Sequence, residues 1–151
     1  MVVVIRSYRP HDSGELAALF YHTIHTINAR DYTEEQLDAW APKKMDREQW
    51  ERSFHGHACL VAVDGPTLVG FGDMDKTGYL DRLFVHAERQ RQGIAAALLG
   101  KLEQTAGGRI VTCASITARP FFEKRGYSLV KEQQVERRGI LLTNFVMEKS
   151  L

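Results

Sequence analysis

The chain has 151 residues, enough for one good core, and its hydrophobic and charged fractions of 44% and 26% are those of an ordinary globular protein. A net charge of +1 provides no global field toward nucleic acid or an anionic membrane. The two cysteines, Cys59 and Cys113, lie in apolar runs. They suggest neither a disulfide framework nor a metal knuckle, and they read as buried free thiols in a reducing compartment.

Met1 to Arg6 is too short for a signal peptide, and no apolar run approaches membrane-spanning length. The expectation is one cytoplasmic domain over residues 1–151, with no membrane partner and no nucleic-acid partner. Val2 to Tyr8 is rich in β-branched residues and reads as the first strand. Asp12 or Ser13 is suited to cap a helix with Glu15 in its first turn. From Glu15 to about Asn28, Leu16, Leu19, Phe20, Ile24 and Ile27 recur at helical spacing with one buried face. His22 and His25 fall off that stripe. Without a third ligand near them a zinc site is not expected.

Thr33 followed by Gln36 is a capping-box pattern. It opens a short helix with Leu37 and Trp40 that stops before Pro42. Asp46 to Phe54 reads as a third helix, with Trp50 and Phe54 four apart. The segment from Asp31 to Asp38 holds four acids and no bases. Such runs are usually solvated helix starts, and this one would favour a cationic ligand only if it faced a pocket.

Strands are expected at His57 to Val63, Thr67 to Asp73 and Tyr79 to Val85, turned at Asp64-Gly65 and at Asp75 to Gly78. A helix from Gly93 carries Ile94, Leu98, Leu102 and Ala106 at every fourth position and ends at Gly107-Gly108. Ile110 to Ser115 is an apolar strand. Thr117 to Arg125 is a short helix with Pro120 in its first turns. Two strands close the chain, at about Tyr127 to Glu136 and Ile140 to Glu148. The order is β, three helices, β-β-β, α, β, α, β-β, which suits an α/β fold built on a mixed sheet with helices on both faces.

The segment from Leu83 to Leu99 concentrates the chemistry. It reads as a buried strand, a turn rich in arginine and glutamine, and a helix opening at a glycine. A helix start leaves several N–H groups unpaired and carries partial positive charge, so it suits a phosphate. Gly93 and Ala95 leave room for an anion at the backbone, and Arg89 and Arg91 add charge. No Gly-Lys-Ser/Thr follows, which excludes a P-loop. A single glycine in the turn excludes the dinucleotide fingerprint.

Val85 to Leu99 resembles motif A of the GNAT family of N-acetyltransferases, with Gln90-x-x-Gly93-x-Ala95 in place of that family's Gln/Arg-x-x-Gly-x-Gly/Ala. Tyr32 to Pro42 and Arg119 to Tyr127 resemble a subgroup of small bacterial GNAT proteins, the YafP-like acetyltransferases. The element order also fits that family, so the resemblance covers essentially the whole chain. It implies a GNAT-like acyl-CoA N-acyltransferase fold, with a twisted, mostly antiparallel sheet. It further implies acetyl-CoA as cosubstrate, no metal, and transfer by direct attack of an amine on the thioester. Members of the family often dimerise through their C-terminal strands, so a homodimer is an option.

On this resemblance the pyrophosphate would rest on the N–H groups of Arg91, Gly93, Ala95 and Ala96, with Gln90, Gln92 and Ile94 around it. The pantetheine arm would pair with the backbone of Leu83 and Val85 like an added strand in the gap between the fourth and fifth strands. Family members usually open that gap at a bulge in the fourth strand. An N–H near Val85 would face the thioester oxygen and stabilise the oxyanion. Ser115, Phe121 and Phe122 would line the arm.

Strict alternation puts Tyr79, Asp81, Leu83 and Val85 on one face of the fourth strand. If that face looks into the cleft, Asp81 is the first candidate for base or amine-binding group, and Asp73 the second. A surface pairing of Asp81 with Arg82 is an equally weighted alternative. His25, Tyr32, Trp40, Trp50 and Asp73 are candidate walls for a small-molecule amine.

Phe122 stands where many family members have a tyrosine acid, and a phenyl ring donates no proton. Three accounts stay open: Tyr127, Tyr79 or Ser115 substitutes; Tyr21 or Tyr32 reaches in; or no protein acid is used. Two other readings of the whole chain also stay open, a non-catalytic acyl-CoA-binding module and an anion-binding structural domain.

Overall fold

The computed structural model describes residues 2–151. Seven strands form one sheet in the order β1-β2-β3-β4-β5-β7-β6. These are β1 (Val4–Ser7), β2 (Ala58–Asp64), β3 (Thr67–Met74), β4 (Tyr79–Val85), β5 (Arg109–Ser115), β6 (Ser128–Arg137) and β7 (Ile140–Ser150). Every neighbouring pair is antiparallel except β4 and β5. The sheet is therefore mixed and mostly antiparallel, as expected. Five α-helices accompany it: α1 (Ser13–Thr26), α2 (Glu34–Trp40), α3 (Arg47–Arg52), α4 (Ile94–Thr105) and α5 (Arg119–Lys124). Among the described residues no helix is long and apolar enough to cross a membrane.

The helices divide between the two faces. Leu16, Phe20 and Ile24 of α1 pack with Trp50, Phe54 and Phe71 on one side. Leu99 and Leu102 of α4 pack with Leu80, Ile110, Phe122 and Met147 on the other. The apolar stripe of α1 is as read, except that the helix stops at Thr26 and Ile27 caps it. A single 3₁₀ turn, Asn28–Arg30, follows. Thr33 and Gln36 close the capping box reciprocally. Asp12 stands at the α1 N-cap position but does not cap the helix through its side chain. Its carboxylate is held instead by Arg6 Nη1 and Nη2 at 2.9 and 3.0 Å and by the Arg9 N–H at 2.8 Å.

Two glycines on β3 set the position of α4. A Cβ on Gly70 would lie 3.1 Å from Ile94 Cγ2, and one on Gly72 would lie 3.1 Å from Leu102 Cδ1. The helix therefore rests close on the middle of the sheet, which brings its N-terminus beside the end of β4.

Strict alternation fails on β4. Asp73 pairs with Arg82 and the next β3 residue, Met74, pairs with Leu80, so Asp81 is the extra residue of a β-bulge. The bulge puts Leu80, Leu83 and Val85 toward α4. Arg82 and Phe84 face the α1–α3 side, where they meet Trp50, Phe20 and Trp40. The expected face shared by Tyr79, Asp81, Leu83 and Val85 is thus broken in its middle.

Candidate functional site

The parallel pairing of β4 with β5 lasts for two residues, Tyr79 opposite Val111 and Leu80 opposite Thr112. Beyond the bulge the strands diverge, and the gap opens into a cavity of about 650 Å³. Its walls come from β4, β5, the start of α4, α5, α1 with the turn after it, and the β6–β7 hairpin.

The free backbone groups of β4 face this gap. His86 N–H donates to Val69 O at 2.8 Å, which fixes the phase of the antiparallel ladder with β3. Hydrogen-bonded pairs then fall at His86, Phe84 and Arg82, and the N–H and C=O of Val85 and Leu83 point away from β3 toward β5. The Val85 carbonyl is occupied there. Thr23 Oγ1 donates to it at 3.1 Å and Gln90 Nε2 at 2.9 Å.

At the mouth of the gap, Gly93 caps α4 with φ +80°, a conformation that favours glycine, and a Cβ there would meet nothing within 4 Å. The first helical bond runs from Ala97 N to Gly93 O. The N–H groups of Ile94, Ala95 and Ala96 therefore have no partner within the helix. Arg89, Arg91 and Arg125 line the cavity, Arg89 in an ion pair with Asp64 at 2.9 Å and Arg125 over the Phe121 ring. The set fits a diphosphate: open backbone donors, room above the glycine, and surrounding positive charge. Gln90 lines this mouth, but its side-chain amide is spent on the Val85 and His86 carbonyls, bracing the loop against β4. Gln92 is exposed and outside the cavity lining.

Asp81 lines the cavity. The residue is exposed, yet the neighbouring protein still partly desolvates its carboxyl. Burial pushes its pKa up, the nearby Asp73 carboxylate adds to the rise, and Arg82 opposes it. Asp73 itself is not a wall of the cavity, contrary to its expected place there. It is fully buried, with Arg82 Nε at 2.9 Å, Arg82 Nη2 at 2.8 Å and His57 Nδ1 at 2.7 Å. The alternation that put Asp73 near the acceptor gave no hint of this clamp.

His57, Asp73 and Asp81 bring ligand-type atoms within 4.8 Å of one another. Arg82 already supplies the positive charge that a metal would bring there. Its guanidinium lies 4.8 Å from the Trp50 ring centre and 4.1 Å from that of Phe54, and it donates to Ser53 Oγ at 2.9 Å.

The acceptor-side residues sort clearly. Tyr32, Trp40 and Trp50 line the cavity. His25 does not. Its ring stacks on Tyr21 and its Nε2 lies 2.8 Å from Ala41 O, so it ties α1 to the end of α2. The acids between Asp31 and Asp38 also lie outside the lining. Phe20, Phe84, Asn28, Cys113, Asn144 and Arg137 line it although alternation and stripe arguments did not single them out as walls. Their contribution depends on three elements closing over the gap. No local pattern marks that closure. Cys113 is half-buried rather than fully buried.

Phe122 is buried between Phe121 and Tyr127 and lies along the cavity with Phe121 and Ser115. Of the candidate acids, Tyr127 points elsewhere and donates to Glu103 Oε2 at 2.8 Å. Tyr21 is not in the lining. The Tyr32 hydroxyl is committed, donating to Thr143 O at 2.7 Å and accepting from Ile116 N–H at 2.9 Å. Ser115 Oγ accepts from Ala118 N–H at 3.0 Å. Tyr79 is different. Its hydroxyl meets the Cys113 thiol, and Asp81 and Arg137 act on it electrostatically. Burial pushes its pKa well above the usual phenol range.

A sequence profile of the acetyltransferase (GNAT) domain matches residues 28–149. The chain is 37% identical over 145 residues to the uncharacterized N-acetyltransferase YafP of Escherichia coli, covering 96% of this chain and 94% of that one. It superposes on a GCN5-related N-acetyltransferase of Rhodopseudomonas palustris with TM-score 0.95 and 32% identity, over 100% of this chain and 99% of the other. The PaiA N-acetyltransferase of Thermoplasma acidophilum, solved with coenzyme A, shares the fold with TM-score 0.78 and 20% identity over the full length of both chains. With the profile and the relatives spanning nearly all of its length, this chain belongs to the GNAT family of N-acetyltransferases.

Proposed function

We propose that the chain moves an acetyl group from acetyl-CoA to the neutral amine of a small acceptor held on the α1–α2 side of the β4–β5 gap. The observation that carries this reading is the alignment of three features along one cavity: the open helix start at Gly93, the gap-facing backbone of Val85 and Leu83, and the carboxylate of Asp81. Bound acetyl-CoA supplies an activated acyl carbon and a thiolate leaving group.

The Ile94, Ala95 and Ala96 N–H groups and the surrounding arginines hold the diphosphate. The Leu83 carbonyl, open where the Val85 carbonyl is held by Thr23 and Gln90, takes an amide N–H of the arm as an added strand would. The gap closes at Leu80 and Thr112, so the acyl end lies nearest to Asp81. The Val85 N–H was the expected oxyanion donor. Leu83, two residues nearer to Asp81, presents its N–H the same way, and the two form a short row of donors along the acyl group.

Asp81 takes the proton of the attacking amine. Its raised pKa makes it a stronger base than a free carboxylate. The Tyr79 hydroxyl, beside Asp81 and uncommitted to any backbone group, returns a proton to the departing thiolate. Trp40, Trp50, Phe20 and Phe84 give the acceptor an aromatic wall.

The test is coenzyme A release, followed with a thiol reagent, against a panel of primary amines (2-phenylethylamine, spermidine, L-lysine amide), for the native chain and Asp81→Asn. Release that depends on an amine and falls about 10²-fold or more in Asp81→Asn supports the reading. Equal rates for the two proteins would remove Asp81 as the base.

A further inference from the structure

The charge on the cavity wall is one-sided. Among the described residues Asp81 is its one acidic side chain, against seven arginines. Five of these have a place elsewhere. Arg82 is spent on Asp73, Arg30 lies 3.6 Å from Asp31, and Arg89, Arg91 and Arg125 belong to the diphosphate end. That leaves Arg137 and Arg138 on the β6–β7 hairpin. Their guanidinium groups donate to backbone only, Arg137 to Glu136 O at 3.1 Å and Arg138 to Ala39 O at 2.6 Å.

Gln133, Val135 and Arg137 alternate onto one face of β6. Gln133 Nε2 donates to Asn144 Oδ1 at 2.9 Å, and Val135 and Arg137 line the cavity, so this is the inner face. The hairpin is fixed over the gap. Besides the Arg138 bond, Gln36 Nε2 donates to Leu141 O at 3.0 Å and the Tyr32 hydroxyl to Thr143 O at 2.7 Å. Arg137 is exposed at the rim, but the turn that carries it is anchored to α2.

Arg137 acts at the acyl end of the gap. The Tyr79 phenol, whose pKa is raised by burial, by the Cys113 thiol and by Asp81, is pulled back down by Arg137. Tyr79 lies six strand residues from Val85, about 20 Å from the diphosphate end. A carboxylate and a guanidinium thus converge on one phenol, which suits a ligand that carries an amine and an anion a few bonds apart. The wall beside them is apolar. Trp40 and Phe84 are half-buried, with ring centres 6.2 Å apart, and Phe20 and Trp50 complete it.

We propose that the acceptor is an amino acid with an aromatic side chain, its carboxylate held by Arg137 and its amine directed to Asp81. This rests on acetyl transfer in the β4–β5 gap. In the step, the amine nitrogen bonds the acetyl carbon as the C–S bond breaks, and the amine proton passes to Asp81. The products are an N-acetyl amino acid and coenzyme A. The guanidinium fork matches a carboxylate with two parallel N–H···O bonds. A polyamine would bring a second positive charge against Arg137 and Arg138, and the acids from Asp31 to Asp38 that would favour it lie outside the lining.

The test uses three acceptors of one skeleton: L-phenylalanine, L-phenylalanine amide and 2-phenylethylamine. Only the first carries a carboxylate. Coenzyme A release from acetyl-CoA is followed for each, and kcat/KM is expressed per neutral amine, because the three amines differ in basicity. The native chain is expected to favour L-phenylalanine about tenfold or more over the other two. In Arg137→Gln that preference should fall to within about twofold of unity, through the KM for L-phenylalanine rather than kcat. Arg137→Lys, which keeps the charge and loses the fork, should restore part of it.

Equal kcat/KM for the three acceptors, or a preference that survives Arg137→Gln, overturns the inference. A raised KM for acetyl-CoA in Arg137→Gln also overturns it, since Arg137 would then serve the cosubstrate. Turnover of 2-phenylethylamine or spermidine with L-phenylalanine inert keeps acetyl transfer and discards the amino-acid acceptor. No amine-dependent release with any of them, from a protein that binds acetyl-CoA, discards the acetyl-transfer reading and this inference with it.

Discussion

Arg82 Nε and Nη2 hold the two carboxylate oxygens of Asp73 at 2.9 and 2.8 Å, at the point of β3 that faces the bulge of β4. The pair couples fold to site. The same register that seats this fork turns Asp81 out of the ladder and into the cavity. The Trp50 and Phe54 rings against the guanidinium shield it from water, so the pair is strong only while both partners are present.

Removing one partner leaves an uncompensated buried charge. Asp73→Asn or Arg82→Met is expected to destabilise the chain by about 3–5 kcal/mol, whereas the double replacement should recover a large part of that loss. Urea unfolding of the two single variants and the double variant checks the sign of the coupling. Additive losses would contradict it.

Acid should act on the chain through Asp12. The Arg6 guanidinium holds its carboxyl below the usual carboxylate range. A depressed folded pKa means the unfolded chain binds the proton more readily. The stabilisation is thus present above the ordinary value near ~4 and disappears as pH falls through the folded one. Asp75, depressed by its bonds from Thr77 and Tyr79, works in the same sense. Asp81 has the opposite sign. Its raised pKa means that its ionisation costs stability as pH rises through its folded value. Thermal melts from pH 3 to 8 should show a shallower acid loss in Asp12→Asn, and a Tm gain in Asp81→Asn that appears only on the neutral side.

Tyr79 offers a kinetic test of the leaving-group step. Tyr79→Phe keeps the ring and removes the hydroxyl that meets Cys113. With the hydroxyl as acid, kcat should fall about 10²-fold while the KM for acetyl-CoA stays within a factor of about two. Because burial raises this phenol, the native alkaline limb should lie above about pH 10. It should vanish in the variant. An unaltered kcat would mean that the thiolate leaves without help from the protein.

Much of the fold was legible because its signals are local. The α1 stripe, the Thr33–Gln36 capping box, the glycines after α4 and the sequence of strands all follow from spacing within a few residues. The phosphate cradle was legible for the same reason, since Gly93 and the helix behind it are contiguous. The acceptor side was less so. Period-two reasoning puts Asp81 and Val85 on one face, but an inserted bulge residue reverses the parity and hides Arg82 and Phe84 from that argument. The Asp73–Arg82–His57 cluster joins three positions through register alone. His25 looked like a pocket residue by helical position, yet its role in joining α1 to α2 depends on a chain reversal that no periodicity encodes.

The most direct measurement of the central claim is calorimetric titration of acetyl-CoA into the native chain and into Gly93→Glu. Open space above Gly93 means the glutamate finds room, but its charge falls where the diphosphate rests, and the left-handed backbone adds a modest strain of about 1 kcal/mol. The account predicts saturable one-to-one binding to the native chain, and at least about 10²-fold weaker binding to a Gly93→Glu protein that still melts cooperatively. No heat from the native chain, or equal affinity in both proteins, would contradict the placement of acetyl-CoA in the β4–β5 gap.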